Sequence, residues 1–222
     1  MISRKILSLL AIVIFFFFIF FSYLVAKEQF TRLDFDLTVK LQNHIPHKFD
    51  VPSSLMSYIG SVEITGMIWL FLSIYCLIRR FYLTFLGMML LPLALAIELF
   101  GKIFVFHPAP SYMFYRGVFS FNFPSAFVQT DYSYPSGHLT RTSFLVVFII
   151  IYIYFRQPKS VQVLAIQALI LFLLGMTVSR IYLGEHWTSD VVGGILIGTA
   201  SGLACALTLP EKNTASTSSL KP

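Results

Sequence analysis

The sequence predicts an all-α fold, a polytopic membrane bundle of six transmembrane helices, and three observations carry that expectation. Of 222 residues, 57% are hydrophobic and only 12% are charged, with a mean hydropathy of +0.79. Soluble domains carry about a quarter charged residues and under half apolar ones, so a water-soluble globule is excluded, as is disorder, which requires low hydrophobicity. Second, six apolar runs approach the ~20 residues a helix needs to cross a bilayer: residues 6–26, 58–78, 81–101, 139–155, 160–179 and 191–209. Third, basic residues recur in alternate connections: Arg4 and Lys5, Arg79 and Arg80, Arg156 and Lys159, Lys212 and Lys221.

The first run follows Arg4 and Lys5, as a signal peptide would. It spans 21 residues, beyond the ~7–15 of a signal core, and no small-x-small cleavage site follows, so it reads as a retained anchor. In segment 27–57 acidic and basic residues balance, and Leu33, Leu37, Leu41 and Ile45 recur every four residues. That spacing predicts a helix, either lying at the membrane interface or packed as an ordinary loop helix. The second and third runs share the Arg79/Arg80 turn. Residues 103–137 then form a 35-residue loop, far longer than the ~12–15 that connections reach without a purpose. Its aromatic residues, among them Phe104, Tyr112, Phe121, Phe123, Phe127 and Tyr134 with Pro124, suit the interface, as an anchoring belt and as a mouth for a lipid headgroup. Three further runs complete one domain over residues 1–209, and the Ser/Thr/Lys-rich residues 210–222 read as a flexible tail. Cys76 and Cys205 both lie inside apolar runs, with neither a disulfide framework nor a thiol-metal spacing.

With six crossings the four basic places share one side, and the positive-inside rule makes it cytoplasmic, together with both termini. The net charge of +6 then reflects topology rather than a nucleic-acid partner. The opposite, external side holds Lys102 at the end of run three, Ser136 and His138 before run four, and Arg180, His186 and Asp190 between runs five and six. Charges at the rim of a bundle are costly; several converging from three segments point to an anion site.

His186 and Asp190 are four apart, one helical face if the sixth run has begun. A carboxylate on one ring nitrogen fixes the tautomer and frees the other nitrogen as nucleophile or base; equally, Asp190 can cap the sixth helix, with Ser189 also available. In Pro135-Ser136-Gly137-His138, Gly137 allows the backbone to approach a ligand, Ser136 and the helix start can face an oxyanion, and His138 can donate a proton; the same four residues also suit a plain N-cap turn. Lys102 and Arg180 add positive charge for a phosphoryl group, although Lys102 also stands four residues after Glu98, the spacing of an intrahelical pair. No acidic cluster is spaced for magnesium, and His44, His47 and His107 lack zinc-site spacing; the expectation is a metal-independent site without a cofactor.

Lys102, Pro135-Ser136-Gly137-His138 and Ser179-Arg180-x5-His186-x3-Asp190, in this order over about residues 55–205, resemble the type-2 phosphatidic acid phosphatase (PAP2) family. The resemblance implies that His186 attacks phosphorus to give a phosphohistidine, Asp190 orients it, His138 protonates the leaving oxygen, and water releases phosphate. Lys102, Ser136, Gly137 and Arg180 would bind the phosphate oxygens. The family's first motif, Lys-x6-Arg-Pro, departs here, because Ala109 precedes Pro110 where the arginine belongs. Arg116, Arg141 and His107 are the candidates to replace it. Arg141, three residues after His138 inside an apolar run, is the best placed; it also suits an interhelical pair with Glu98 or Glu63.

The leading expectation is thus a membrane lipid phosphatase acting on undecaprenyl diphosphate at the external leaflet. Phosphatidylglycerophosphate or phosphatidate phosphatase and lipid phosphotransferase are alternatives within the enzyme class. A non-catalytic lipid-binding or transport protein, prompted by Ala109, is the alternative outside it.

Overall fold

The computed structural model describes residues 3–119 and 130–210. Among them there are nine α-helices and no strands: α1 (Arg4–Ala26), α2 (Thr31–His44), α3 (Asp50–Ile59), α4 (Val62–Ile78), α5 (Tyr82–Met88), α6 (Leu90–Phe104), α7 (Gly137–Arg156), α8 (Lys159–Tyr182) and α9 (Thr188–Ala206). Phe121, Phe123, Pro124 and Phe127 of the aromatic loop, and Lys212 and Lys221 of the tail, lie outside the described residues.

Among the described residues, five apolar units are long enough to cross a membrane: α1, α5–α6 as Tyr82–Phe104, α7, α8 and α9. The expected second span, 58–78, is interrupted. Its helix begins only at Val62 and has 17 residues; it reaches spanning length only together with His47–Ile59, from which it bends by 41°. The break falls at Gly60–Ser61. Ser61 caps α4 by accepting from the Ile64 N–H at 3.4 Å, and Gly60 lies so close under α7 and α8 that a Cβ there would stand 2.8 Å from Met176 Cε and 3.0 Å from His138 Cδ2.

The third span is divided too, between α5 and α6 near Met89, and it runs on to Phe104, which puts Lys102 in its last turn. Pro92 has no N–H to offer the Met88 carbonyl, and no backbone group may go unpaired in hydrocarbon. The Trp69 indole N–H donates to that carbonyl instead, at 2.9 Å. The remaining four spans shift by a few residues at their ends. In particular α8 continues past Ser179, so Arg180 also sits in a last turn.

α7 and α9 form the centre of the bundle and α8 its periphery: 67% of the apolar window of α9 is buried but only 6% of that of α8. The α7–α9 contact rests on Gly194, Gly198 and Gly202, whose missing side chains admit the backbone carbonyls of Ser136, Thr140 and Phe144. Small residues at every fourth position suit a membrane, where apolar burial between helices yields little and close backbone approach yields dispersion. Large apolar residues such as Phe16, Phe71, Leu83, Phe104 and Leu164 point outward, toward lipid.

The start of α1 meets the end of α9, Arg4 donating to the carbonyls of Leu207 (3.2 Å) and Leu209 (2.6 Å). The opposite end of the bundle carries the ends of α1, α6 and α8, the starts of α4, α7 and α9, and the helices α2 and α3. α2 corrects the leucine-stripe expectation in part. The helix forms, but Leu33 is exposed, and the residues buried on it are Asp34 and Thr38. Tyr134 likewise leaves the aromatic belt for the core: it is 1% exposed, stacks on Phe18, and shares a 2.8 Å hydrogen bond with the Ser22 hydroxyl.

Candidate active site

The turn from α8 to α9 is made possible by Gly184, whose φ of +66° lies in the left-handed region and whose absent Cβ leaves room for the Phe114 carbonyl. It delivers His186 and Asp190 to one place. The Asp190 carboxylate is fully buried, and its Oδ2 accepts from both the Trp187 N–H (3.0 Å) and His186 Nδ1 (3.1 Å). Capping and orientation, alternatives in the sequence, are performed by one oxygen. Burial, and after it the charges of Arg180, Lys102 and Arg141, hold the His186 imidazole well below its ordinary value of 6.5. It is neutral, with its proton on Nδ1 and a lone pair on Nε2.

His138, the second residue of α7, lies over Gly60, and its electrostatic neighbours are Arg180, Arg141, His186 and Lys102. The two histidines therefore share the same three cations. Ser136 precedes α7 with its N–H donating to the Asp190 carbonyl at 2.9 Å. Its hydroxyl makes no capping bond; that buried oxygen and the buried Arg180 Nε both lack a partner among the described residues. A plain N-cap would have used that hydroxyl.

The cations are held by carboxylates. Glu98 Oε1 lies 3.0 Å from Lys102 Nζ, Glu98 Oε2 lies 4.0 Å from Arg141, and the carboxylate fills the space left open by Gly137. Arg141 also donates to Thr65 Oγ1 (3.0 Å) and to the Gly60 carbonyl (3.4 Å). It serves as interhelical glue while remaining beside the histidines. Arg180 pairs with Glu185 and donates to Ser57. Of the other candidates for the missing arginine, Arg116 lies over the Tyr182 ring at 5.2 Å and Ala109 itself is exposed. His107 is buried, with Nε2 3.5 Å from Asp190 Oδ1 and 3.0 Å from Ser189 Oγ.

Sequence reasoning names Glu98 as a partner of Lys102 or Arg141, and the structure pairs it with both; it misses Glu185 and Asp34. Glu98 carries a signal, its i,i+4 spacing to Lys102; Glu185 and Asp34 carry none, because their partners come from other helices or turns. Among the described residues, no group of three or more His, Cys, Asp or Glu side chains is arranged to hold a metal ion.

Fold and site define a class, a polytopic helical membrane protein with a histidine–carboxylate pair inside a ring of cations. A model of the PAP2 superfamily matches residues 81–214, more than half of the chain, and the chain belongs to that superfamily. An undecaprenyl-diphosphatase of Sulfolobus acidocaldarius is 39% identical over 70 residues, which are 32% of this chain and 30% of that protein. The crystal structure of a transmembrane PAP2-type phosphatidylglycerolphosphate phosphatase from Bacillus subtilis is similar at a TM-score of 0.70 and 14% identity, over 88% of this chain and 93% of that one. LpxE from Aquifex aeolicus is similar at a TM-score of 0.56 and 22% identity, over 78% and 94%. At those identities the two structures establish the shared fold.

Proposed function

We propose that this protein is an integral membrane lipid phosphatase that hydrolyses a lipid phosphate or diphosphate through a phosphohistidine, without a metal. The observation that carries the reading is the 3.1 Å bond from His186 Nδ1 to a fully buried Asp190, with His186 neutral among three cations. Nε2 attacks phosphorus as the bond to the leaving lipid oxygen breaks, and His138 gives that oxygen its proton. Water then attacks the phosphohistidine and gives a proton back to His138 as the P–Nε2 bond breaks, which releases phosphate and returns the electron pair to Nε2. Asp190 keeps the attacking lone pair aimed and stabilises the positive charge that develops on the ring. Lys102, Arg180, Arg141 and the backbone around Ser136 and Gly137 take the charge spread over the equatorial oxygens; Ser136 Oγ and Arg180 Nε, both buried and without partners among the described residues, suit that task.

The partial match to an undecaprenyl-diphosphatase supports undecaprenyl diphosphate as the first substrate to test. A cleft of about 440 Å³ lined by Ile45, Phe49, Met56, Gly175, Val178 and Ser179, the last of which directly precedes Arg180 in the chain, suits a hydrocarbon chain. The site faces the external side, with both termini cytoplasmic, on the strength of the basic turns at the opposite end.

The test is phosphate release by purified protein in detergent with EDTA, from isoprenyl diphosphate, phosphatidate and phosphatidylglycerophosphate. The isoprenyl diphosphate should be cleaved fastest, and His186→Ala should abolish release from all three. Dependence on added metal, or full activity of the alanine variant, would overturn the mechanism.

A further inference from the structure

Behind the histidine–carboxylate pair lies a second buried carboxylate. Asp34 comes from α2, outside the residues that the PAP2 model matches, and is 1% exposed. Its oxygens are both spent on one residue at the start of α9: Oδ1 accepts from the Ser189 N–H at 2.8 Å, and Oδ2 accepts from the Ser189 hydroxyl at 2.7 Å. A serine hydroxyl has one proton. Once that proton is given to Asp34, Ser189 Oγ can only accept from its other neighbour, His107 Nε2 at 3.0 Å. His107 therefore carries its proton on Nε2. The same N–H edge faces Asp190 Oδ1 at 3.5 Å, an electrostatic contact rather than a direct hydrogen bond, and that oxygen, which His186 does not use, is buried without a hydrogen-bond partner among the described residues.

We infer that Asp34 and His107 are positioning residues for the nucleophile: through Ser189, Asp34 keeps the N–H edge of His107 facing the rear oxygen of Asp190, and that field holds the carboxylate with its front oxygen on His186. The inference rests on the phosphohistidine reading above.

The relay has a direction that depends on one proton. Burial, offset in part by the two bonds from Ser189, raises Asp34 to about 6. Burial, against the pull of Asp190 and Glu28, lowers His107 and keeps it neutral. When Asp34 takes up a proton, it donates to Ser189 Oγ, and the serine proton turns to His107 Nε2. His107 must then accept there and carry its own proton on Nδ1, so the edge facing Asp190 Oδ1 changes from an N–H into a lone pair. The charged and titratable groups around Asp34 are few. α9 presents Asp190, and the segment after α6 presents His107. α8 brings Arg180 and Tyr182, which are engaged with Glu185, Ser57 and Asp50. On α2 itself Arg32 pairs with Asp36 at the surface, and Lys40 is exposed.

The test compares kcat and KM for phosphate release across pH 5–8 (a span of about three units around the Asp34 value) in wild type, Asp34→Asn, His107→Ala and His107→Gln, each checked for folding by thermal unfolding in detergent. Wild type should lose kcat below about pH 6 at constant KM. The Asp34→Asn side chain places an amide N–H on Ser189 Oγ at every pH. Its kcat at pH 7–8 should fall about threefold to tenfold, the worth of a contact weaker than a charge-assisted hydrogen bond, and the variant should converge on wild type at the acid end, where the wild-type Asp34 carboxyl is protonated as well. His107→Gln keeps an N–H at the Nε2 position and should retain at least about ten times the activity of His107→Ala. If wild type releases no phosphate, or His186→Ala still does, the function itself fails and the relay with it. If those two behave as expected but folded Asp34→Asn matches wild type at about pH 8, or folded His107→Gln is no better than His107→Ala, the relay alone is overturned.

Discussion

The space that Gly137 leaves open is filled by a carboxylate, and a substitution there has a calculable cost. A Cβ at position 137 would strike Glu98 Oε1 and stand 2.8 Å from Glu98 Cδ and 2.9 Å from an Arg141 guanidinium nitrogen. Both neighbours are the far ends of flexible side chains, so Gly137→Ala requires no backbone movement. What it removes is the 3.0 Å contact between Glu98 and Lys102, whose side chains are only 10% and 18% exposed. A charge-assisted hydrogen bond of that kind is worth about 1.5–3 kcal/mol, and Gly137→Ala should destabilise the folded protein by about that much. In a Glu98→Ala background only the Arg141 guanidinium nitrogen, the far end of a flexible side chain, stands in the way of the new methyl group, and the same substitution should cost little. The double-mutant cycle, measured by denaturant titration in detergent, should therefore give a coupling of about 1.5–3 kcal/mol. Additivity within about 0.5 kcal/mol would refute the reasoning, since it would mean that Glu98 does not occupy the space beside Gly137.

Two further outcomes follow from the same geometry. Arg141→Ala strips Glu98, Thr65 and Gly60 of a buried partner, and should cost about 3 kcal/mol or more of stability together with most of the activity; Arg116→Ala loses a ring contact on Tyr182 worth about 0.5–1 kcal/mol. Equal, mild losses in thermal unfolding and phosphate release would contradict this ranking. Gly198→Ala should be worse for folding than Gly137→Ala, because the atom in its way is the Thr140 backbone carbonyl rather than a movable side chain; a variant as stable as wild type by thermal unfolding would show that α7 and α9 are not in close backbone contact.

How much of the protein is legible before its fold differs by residue. Lys102, Ser136, His138, Arg180, His186 and Asp190 announce themselves because polar residues at the ends of apolar runs have no packing reason to be there, and their bonds are mostly local: His186 to Asp190 across four residues, Lys102 to Glu98 across four. Arg141 visibly needs a partner, but the sequence leaves Glu98 and Glu63 equally open. The break at Gly60–Ser61 is hidden, since hydropathy continues through it. So is the glycine row on α9, which reads as ordinary small residues until α7 lies against it.

Composition, run length and charge placement by themselves determined that the chain crosses a membrane as a helical bundle and divides its scarce charges between two ends, basic turns at one and the polar site residues at the other. Those are one-dimensional properties, dictated by the thickness of the hydrocarbon layer and the cost of charge within it. Only the tertiary structure decided which carboxylate each cation and histidine keeps. Asp34 reads in the sequence as part of an amphipathic loop helix, yet it lies behind Asp190, because α2 packs on α9 with its polar face inward. Contacts between residues 155 apart in sequence leave no periodicity and no spacing. They exist only once the helices are packed, when a buried carboxylate must find its donors on whichever helix comes to lie beside it.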